Sequence, residues 1–339
     1  MDLTSITITQ HIYQMQKRFP EASGELSSLL SHVALAGKII SREVNKAGLV
    51  EILGLTGEIN VQGEHVQKLD EFANRVMIHT LTHSGDVCIM ASEENETFIE
   101  VEKGHRVGSY TIAFDPLDGS NNIDANVSVG TIFSIHRRRT KRGKGVPRDI
   151  LQPGNEQVAA GYIVYGSSTM MVLATRAGVD GFTLDPSVGE FLRSHRNIRC
   201  PHRGNTYSVN EGNFPYWDLP MQNYVRYIKE MDKRTFRPYT ARYIGSLVAD
   251  AHRTLLNGGI FMYPRDFKDL NKTSGKLRLV YECAPMAFVF EMAGGAASDG
   301  LRRVVEIEPT SLHQRCPMFL GSRDEVAVVE KFLQGKARL

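Results

Sequence analysis

Residues 114–124 read Phe-Asp-Pro-Leu-Asp-Gly-Ser-Asn-Asn-Ile-Asp, and this stretch decides the interpretation of the chain. An apolar strand runs into two carboxylates, Asp115 and Asp118. Pro116 fixes its own φ, and Gly119 lets the backbone approach a ligand closely. Two aspartates that project from a strand end into one concavity repel each other unless a hard cation lies between them. The full stretch predicts a metal-binding corner, whereas an isolated Asp-x-x-Asp-Gly is more often an Asx-rich turn that closes a strand.

The residues after the second aspartate predict an anion site beside the metal. Backbone amides that follow Gly119, at Ser120 and Asn121, can hold an anion as turn nests and helix N-termini do. A metal on one side and amides on the other make a site for a phosphate ester.

Other acidic residues are candidates for the same site. Glu93 and Glu94 follow an apolar run, and in a strand they would point to opposite faces, one toward a metal and the other toward a water. Asp70 sits beside the apolar face of a predicted helix. Glu282 lies within an apolar run, where a buried acid without a partner would be costly, so a metal is expected there. Taken alone, a Glu-Glu pair is usually a solvated surface feature.

Cationic and polar residues in the second half are candidates for holding a phosphorylated ligand. Lys276 and Arg278 alternate on one face of an extended segment, Arg242 and Tyr243 precede a predicted helix, and Asn210 lies in a turn. Each of these is individually more typical of a surface or structural position.

Composition sets the class of protein. The chain has 339 residues, 42% apolar and 23% charged, with a net charge of +2, which suits a mixed α/β globular protein and gives no field to recruit nucleic acid. No apolar run could span a membrane and no secretory signal is seen, so a cytoplasmic protein is expected. Four scattered cysteines fit reduced thiols. The basic run 137–144 lacks the interleaved aromatic residues on which the bases of single-stranded nucleic acid would stack. It is therefore interpreted as a solvated loop that could help to bind an anionic effector.

Apolar periodicity predicts helices around sheets. One helix is predicted from an N-cap at Ser23 to Gly48, a second over 66–81, and a long mobile loop over 49–64 between them. Further helices are predicted at 246–256 and from about 283. Strands are predicted at 98–101, 110–114, 131–135, 159–165, 170–174 and 259–263. The pattern favours two sheets sandwiched between helix layers, in two units that divide near residue 200.

Several segments together resemble class I fructose-1,6-bisphosphatases, and their sequences are most similar to those of the bacterial enzymes. The resemblance covers residues 20–335. The acidic motif is typical of the wider lithium-sensitive phosphatase superfamily. The downstream segments narrow the resemblance to the fructose bisphosphatases. The segments are 66–70 (Val-Gln-Lys-Leu-Asp), 115–120, 128–133 (Ser-Val-Gly-Thr-Ile-Phe), 210–212 (Asn-Glu-Gly), 241–246 (Ala-Arg-Tyr-Ile-Gly-Ser), 275–278 (Gly-Lys-Leu-Arg) and 281–283 (Tyr-Glu-Cys).

The resemblance implies a layered α-β-α-β-α fold with an N-terminal regulatory domain over 1–198 and a sugar-bisphosphate-binding domain over 199–339. It implies two or three Mg²⁺ ions, for which Mn²⁺ or Zn²⁺ could substitute, and a homotetramer. The loop 49–64 would be the family's mobile active-site loop. The implied metal ligands are Glu93, Asp115, Asp118, Glu282 and the carbonyl of Leu117.

By the same resemblance, Asp70 and Glu94 would orient or deprotonate the attacking water. The implied substrate-binding residues are Asp118, Gly119, Ser120, Asn121, Asn210, Tyr243, Tyr263 and Lys276, with Arg242 reaching in from a neighbouring subunit. An AMP-type effector would bind at Ser23, Gly24, Glu25, Leu26 and Tyr110.

Two departures from the family pattern matter. Arg75 stands where relatives have an acid. Either Arg75 substitutes for that acid electrostatically, or the task of activating the water falls to Glu94. Ser109 stands where a lysine is expected before Tyr110, so we expect weak AMP inhibition, or another anionic effector that uses Arg137 or Arg138.

The expected reaction is Mg²⁺-dependent hydrolysis of the 1-phosphate of D-fructose 1,6-bisphosphate, in gluconeogenesis or carbon fixation. Sedoheptulose-1,7-bisphosphatase activity, alone or in addition, is the alternative because both sugars present the same end to the metals. A catalytically silent homologue that senses sugar phosphate or AMP is a third possibility, motivated only by Arg75.

Overall fold

The computed structural model describes residues 6–17, 23–46, 55–59, 65–102, 104–269 and 274–337, with 55–59 and 65–67 described by backbone alone. Eight α-helices occur in these ranges: α1 (Ile8–Gln16), α2 (Glu25–Val44), α3 (Lys68–Ser84), α4 (Pro147–Ile150), α5 (Leu219–Lys229), α6 (Leu247–Asn257), α7 (Ala284–Met292) and α8 (Arg323–Leu333).

Fifteen strands accompany them in the same described ranges: β1 (Leu55–Ile59), β2 (His65–Gln67), β3 (Val87–Ser92), β4 (Ile99–Glu100), β5 (Tyr110–Asp118), β6 (Val129–Arg137), β7 (Ala159–Tyr165), β8 (Thr169–Thr175), β9 (Gly178–Asp185), β10 (Glu190–His195), β11 (Thr206–Ser208), β12 (Thr240–Ala241), β13 (Ile260–Tyr263), β14 (Ala296–Ser298) and β15 (Met318–Gly321).

The larger sheet has eight strands in the order β10-β9-β8-β7-β6-β5-β3-β4. Every residue of β5 and β7 is buried, as expected for strands covered on both faces. One face packs against α1, α2 and α3, where Leu30, Met77 and Phe133 share a core. The other face packs against α6 and α7.

The smaller sheet has five strands in the order β12-β11-β13-β15-β14. Its inner face shares a core with the larger sheet through α6 and α7, in which Ile132, Phe288 and Leu320 belong to one cluster. Seven of the nine residues of α7 are buried, because a helix between two sheets has no solvent-facing side. Helices α5 and α8 cover the outer face, where Tyr224 and Phe332 stack. The predicted layering of helices and two sheets is confirmed.

Several predicted elements have different ends. Helix α2 begins after Gly24, which is its N-cap in the left-handed conformation (φ 85°), so the predicted cap at Ser23 is wrong by one residue. Gly48, the predicted end of that helix, lies outside the described residues. Of the predicted loop 49–64, residues 55–59 form β1, which pairs antiparallel with β2 just beyond it, and the rest of that loop lies outside the described residues.

The fold brings three segments to one place. Strand β5 ends at Asp118, the N-terminus of α6 faces that end, and a π-helical turn at Leu279–Cys283 leads into α7. A π-turn inserted before a helix often marks a functional site, because the extra residue redirects a side chain. Within the described residues, no helix is both long and apolar enough to cross a membrane.

Candidate functional site

Three buried carboxylates converge where these segments meet. Asp115, Asp118 and Glu282 each offer an oxygen, and the three oxygens lie within 4.8 Å of one another. The residues are only 4%, 8% and 4% exposed. Oxygen ligands of this kind suit a hard divalent cation. The sequence predicted all three as metal ligands, and the structure brings them together.

Each carboxylate accepts a hydrogen bond from a backbone amide. The carboxylate of Asp115 accepts a hydrogen bond from the amide of Leu117 at 2.9 Å, which closes the turn around Pro116. The carboxylate of Asp118 accepts from the Val248 amide at 2.8 Å, in the first turn of α6. Glu282 accepts from the Arg278 amide at 2.5 Å. These bonds preorganise the acids and leave their other oxygens for a ligand.

Burial and mutual repulsion raise the pKa values of the three acids. Burial, followed by the nearby Glu93 charge, raises the pKa of Glu282 to about 8. Burial likewise raises the pKa of Asp118 to about 6, against the opposing hydrogen bond from Val248. The pKa of Asp115 is raised well above its ordinary value by burial and by the neighbouring carboxylates. The concentrated negative potential favours a cation at this point.

Glu93 is held by a cation of the protein itself. Its carboxylate lies 2.6 Å from the guanidinium of Arg278, and both side chains are almost fully buried. Sequence reasoning placed Glu93 among the metal ligands and Arg278 beside the ligand, but it did not pair them. Glu93 and Glu94 lie in the turn after β3, so the expectation that they alternate along a strand is wrong.

A cavity of about 180 Å³ opens over the carboxylates. Its lining includes most of the predicted site residues: Glu93, Glu94, Asp115, Leu117, Asp118, Gly119, Ser120, Asn121, Tyr243, Tyr263, Lys276 and Glu282. Gly119 has φ 77°, and a Cβ there would lie 3.0 Å from the Cβ of Ser246, so both conformation and space favour glycine. A larger cavity, about 620 Å³, lies between α5 and α8 and is lined by neither Asp115 nor Glu282.

Asp70 is not among the residues that line this cavity. It is buried in the first turn of α3. This helix is tied to the turn that carries Glu94, since Ser92 Oγ donates to Asn74 Oδ1 at 2.7 Å. Arg75 points to the outer surface, where its guanidinium lies 3.5 Å from Glu71.

Asn210 and Arg242 also lie outside the cavity lining. The Asn210 side chain accepts a hydrogen bond from the Gly212 amide at 3.1 Å and so caps the short 3₁₀ helix Glu211–Tyr216. Arg242 is exposed and contacts its own backbone neighbour, Ala241.

The predicted effector residues lie at the start of α2 and on β5. Ser23 is exposed, Leu26 packs against the core, and Glu25 pairs with Arg106. Tyr110 is buried on β5, with the guanidinium of Arg137 5.8 Å from its ring centre.

The basic run 137–144 is mostly exposed, as the prediction of a solvated loop requires, and hydrogen bonds to its backbone hold it in shape. The guanidinium of Arg138 donates to the carbonyl of Gly143 at 2.8 Å, and Asp149 accepts from the Thr140 amide at 2.7 Å. Arg138 is thereby committed to the loop's own backbone.

Sequence reasoning missed the residues that shape the rim. Ser246 caps α6 and donates from Oγ to Asp118 at 3.1 Å, while buried Asp250 accepts from the Gly245 amide at 3.0 Å. Asn122 donates to the Gly245 carbonyl at 3.1 Å. A serine just before a helix signals an N-cap, but only the fold shows that it faces Asp118.

Comparison with known protein families shows to which family the chain belongs. Residues 6–196 match the fructose-1,6-bisphosphatase N-terminal domain, and residues 200–334 match the fructose-1,6-bisphosphatase C-terminal domain. The chain belongs to the fructose-1,6-bisphosphatase family. It is 57% identical over 325 residues to "Fructose-1,6-bisphosphatase class 1" of Maridesulfovibrio salexigens, covering 96% of both chains. Identity to the protein of the same name in Nitratidesulfovibrio vulgaris is 56% over 331 residues, covering 97% of this chain and 98% of that protein.

Solved structures agree with this family assignment. Leishmania major fructose-1,6-bisphosphatase in its holo form superimposes with a TM-score of 0.90 and 43% identity, covering 98% of this chain and 99% of that one. The T-state structure of the Leishmania major enzyme gives a TM-score of 0.85 at 42% identity, over 97% of this chain and 99% of that one.

Proposed function

We propose that the protein hydrolyses the 1-phosphate of D-fructose 1,6-bisphosphate to give fructose 6-phosphate and inorganic phosphate, in a Mg²⁺-dependent reaction. The observation that carries this proposal is the convergence of Asp115, Asp118 and Glu282 in a cavity that also contains Lys276 and phenol groups. The names of the curated relatives support the same substrate.

The carboxylates would hold two or three Mg²⁺ ions, with Glu93 and the Leu117 carbonyl completing the ligand set and with Mn²⁺ or Zn²⁺ as substitutes. Bound Mg²⁺ supplies positive charge that stabilises the transferring phosphoryl group and acidifies water. The Val248 amide keeps Asp118 oriented, and Arg278 neutralises Glu93 until a ligand arrives. The protein's own contribution is therefore a preorganised set of oxygen ligands in a largely buried site.

The rim residues would position the substrate. Ser120 and Asn121 line the cavity directly after Gly119, and their backbone amides would donate to the 1-phosphate. At the other end, the Lys276 ammonium and the Tyr243 and Tyr263 hydroxyls match the charge and hydrogen-bonding needs of a 6-phosphate.

Glu94 is the better placed of the two acids for accepting a proton from water, because it lines the cavity and Asp70 does not. We assign Asp70 to the network behind it, through α3 and the Asn74–Ser92 hydrogen bond. Arg75 points away from this network, so it does not argue for a silent homologue.

We further propose a homotetramer in which exposed Arg242 serves the neighbouring subunit's 6-phosphate, and Asn210 adjusts when substrate binds. Regulation would belong to residues 1–198 and sugar binding chiefly to 199–339. An AMP-type anion would bind near Gly24, Glu25 and Tyr110, with Arg137 as the cation beside it.

The proposal is tested by phosphate release from a panel of substrates. Purified protein with Mg²⁺ is expected to act on fructose 1,6-bisphosphate far faster than on inositol or nucleotide phosphates. Sedoheptulose 1,7-bisphosphate belongs in the panel, because a rate above that for the fructose sugar would reassign the substrate. No release from either bisphosphate would refute the proposed reaction.

A further inference from the structure

Three histidines lie together at the C-terminal end of α3. His79 and His83 are one helical turn apart, and His105 reaches them from the segment between β4 and β5. The ring centres of His79 and His83 are 4.2 Å apart, and those of His83 and His105 are 4.8 Å apart. None of the three lines the substrate cavity.

The residue types and their spacing suit a transition metal. Imidazole nitrogen is a preferred ligand of Zn²⁺, Ni²⁺ and Cu²⁺, whereas Mg²⁺ prefers oxygen. Two histidines four residues apart project from the same helix face and can chelate one ion. A third histidine from a different segment would make the site tridentate, which leaves a position for water.

One of the rings is already oriented by the backbone. The Nδ1 of His83 lies 2.8 Å from the backbone carbonyl oxygen of His79. A carbonyl oxygen only accepts hydrogen bonds, so His83 Nδ1 donates this bond and Nε2 is the nitrogen left for a ligand. Metal-ligating histidines commonly use their second nitrogen in this way, which fixes the ring and raises its basicity.

The rings must reorient to close on an ion, because their nitrogens do not all lie within 4.8 Å of one another. At a metal–nitrogen distance of about 2.0–2.1 Å, tetrahedral ligation places ring centres roughly 5 Å apart, slightly farther than observed. Among the described residues, only the Asp115, Asp118 and Glu282 group has all its ligand atoms within 4.8 Å. His79 and His83 are exposed and His105 is half-buried, so modest side-chain rotations are available.

We propose that His79, His83 and His105 form a surface site for a divalent transition metal of the Zn²⁺ or Ni²⁺ class, separate from the Mg²⁺ site. Bound metal would fasten the segment around His105 to α3. The neighbouring Arg106 forms a salt bridge with Glu25, so the metal would also link α3 to the first turn of α2 through this pair.

The test is calorimetric titration of Ni²⁺ into the full-length, Mg²⁺-saturated protein and its variants. Loss of an outer-shell partner alone costs roughly 10- to 100-fold in metal affinity, so His83→Asn is expected to weaken Ni²⁺ binding at least tenfold. His79→Asn and His105→Asn are expected to weaken it as well, with His83→Asn the largest because its ring lies between the other two. His195→Asn, which removes an exposed histidine on β10, is the matched control and should bind Ni²⁺ like wild type.

A second measurement guards against misfolding. All three variants should keep wild-type phosphatase activity, and Ni²⁺ should raise the unfolding temperature of the wild type but not of His83→Asn. Anomalous diffraction at the nickel edge should show a peak between the three rings. Ni²⁺ binding that survives the substitutions, or no binding by the wild type, would overturn the proposal.

Discussion

Binding of Mg²⁺ to the metal-free protein should release protons, because the ligands are partly protonated at neutral pH. With a pKa of about 8, Glu282 carries about 0.9 proton at pH 7, and Asp118, with a pKa of about 6, carries about 0.1. The pKa of Asp115 is raised in the same direction, by burial and by the neighbouring carboxylates. A metal ligand must be deprotonated, so Glu282 and Asp118 together should release about one proton per site.

Titration calorimetry in buffers of different ionisation enthalpy measures this number directly, as the slope of the observed heat against buffer enthalpy. Glu282→Gln should lower the slope by about one proton while the fold is kept. A slope of zero for the wild type would refute the reasoning, since it would mean that all three carboxylates are already ionised without metal.

The same shift has a consequence for stability. Glu282 has a higher pKa in the folded than in the unfolded protein, so ionising it disfavours folding. Its stabilising contribution to the free energy of unfolding of the metal-free protein is therefore fully present below about pH 4.5 and is lost as pH rises through about 8. Thermal unfolding should show this loss without metal, and Mg²⁺ should abolish it. A Mg²⁺ effect that does not grow with pH would contradict it.

Other perturbations test separate parts of the site. Lys276→Ala should raise KM roughly 10- to 100-fold with a smaller change in kcat, because it removes a charged contact that we assign to the 6-phosphate and not to the reacting phosphate; steady-state kinetics that show only a kcat loss would contradict this role. Arg278→Met should lower the unfolding free energy of the metal-free protein by about 3–5 kcal/mol in denaturant titrations, because it leaves Glu93 buried without its partner, and Mg²⁺ should recover part of the loss. AMP should inhibit weakly and without cooperativity in rate assays, and Ser109→Lys should strengthen the inhibition; tight inhibition of the wild type would contradict this.

The layered fold was predictable because its core elements have clear local signals. Strand β7 was predicted with its observed ends, since a continuous apolar run between turn residues has one interpretation. Helices α5 and α8 were not predicted, although the four buried residues of each recur at helical spacing, at 221, 224, 225 and 228 and at 325, 326, 329 and 332. The left-handed start of α2 at Gly24 has no periodic signal.

The acidic part of the site was predictable, while its supporting contacts were not. Asp115 and Asp118 stand in a stretch whose proline and glycine constrain the backbone, and Glu282 stands out in an apolar run. The contact between Asp118 and the start of α6 joins residues about 130 positions apart. No local pattern encodes such a contact, and the same holds for the Glu93–Arg278 pair.

The most direct test of the proposed activity is Mg²⁺-dependent phosphate release from fructose 1,6-bisphosphate by wild type and Asp118→Asn, compared at equal folded fraction. The substituted side chain would keep an amide oxygen for the Val248 N–H but lose the ligand charge. The account predicts that turnover falls by roughly two orders of magnitude or more. An Asp118→Asn protein that retains most of the wild-type, Mg²⁺-dependent turnover would contradict it.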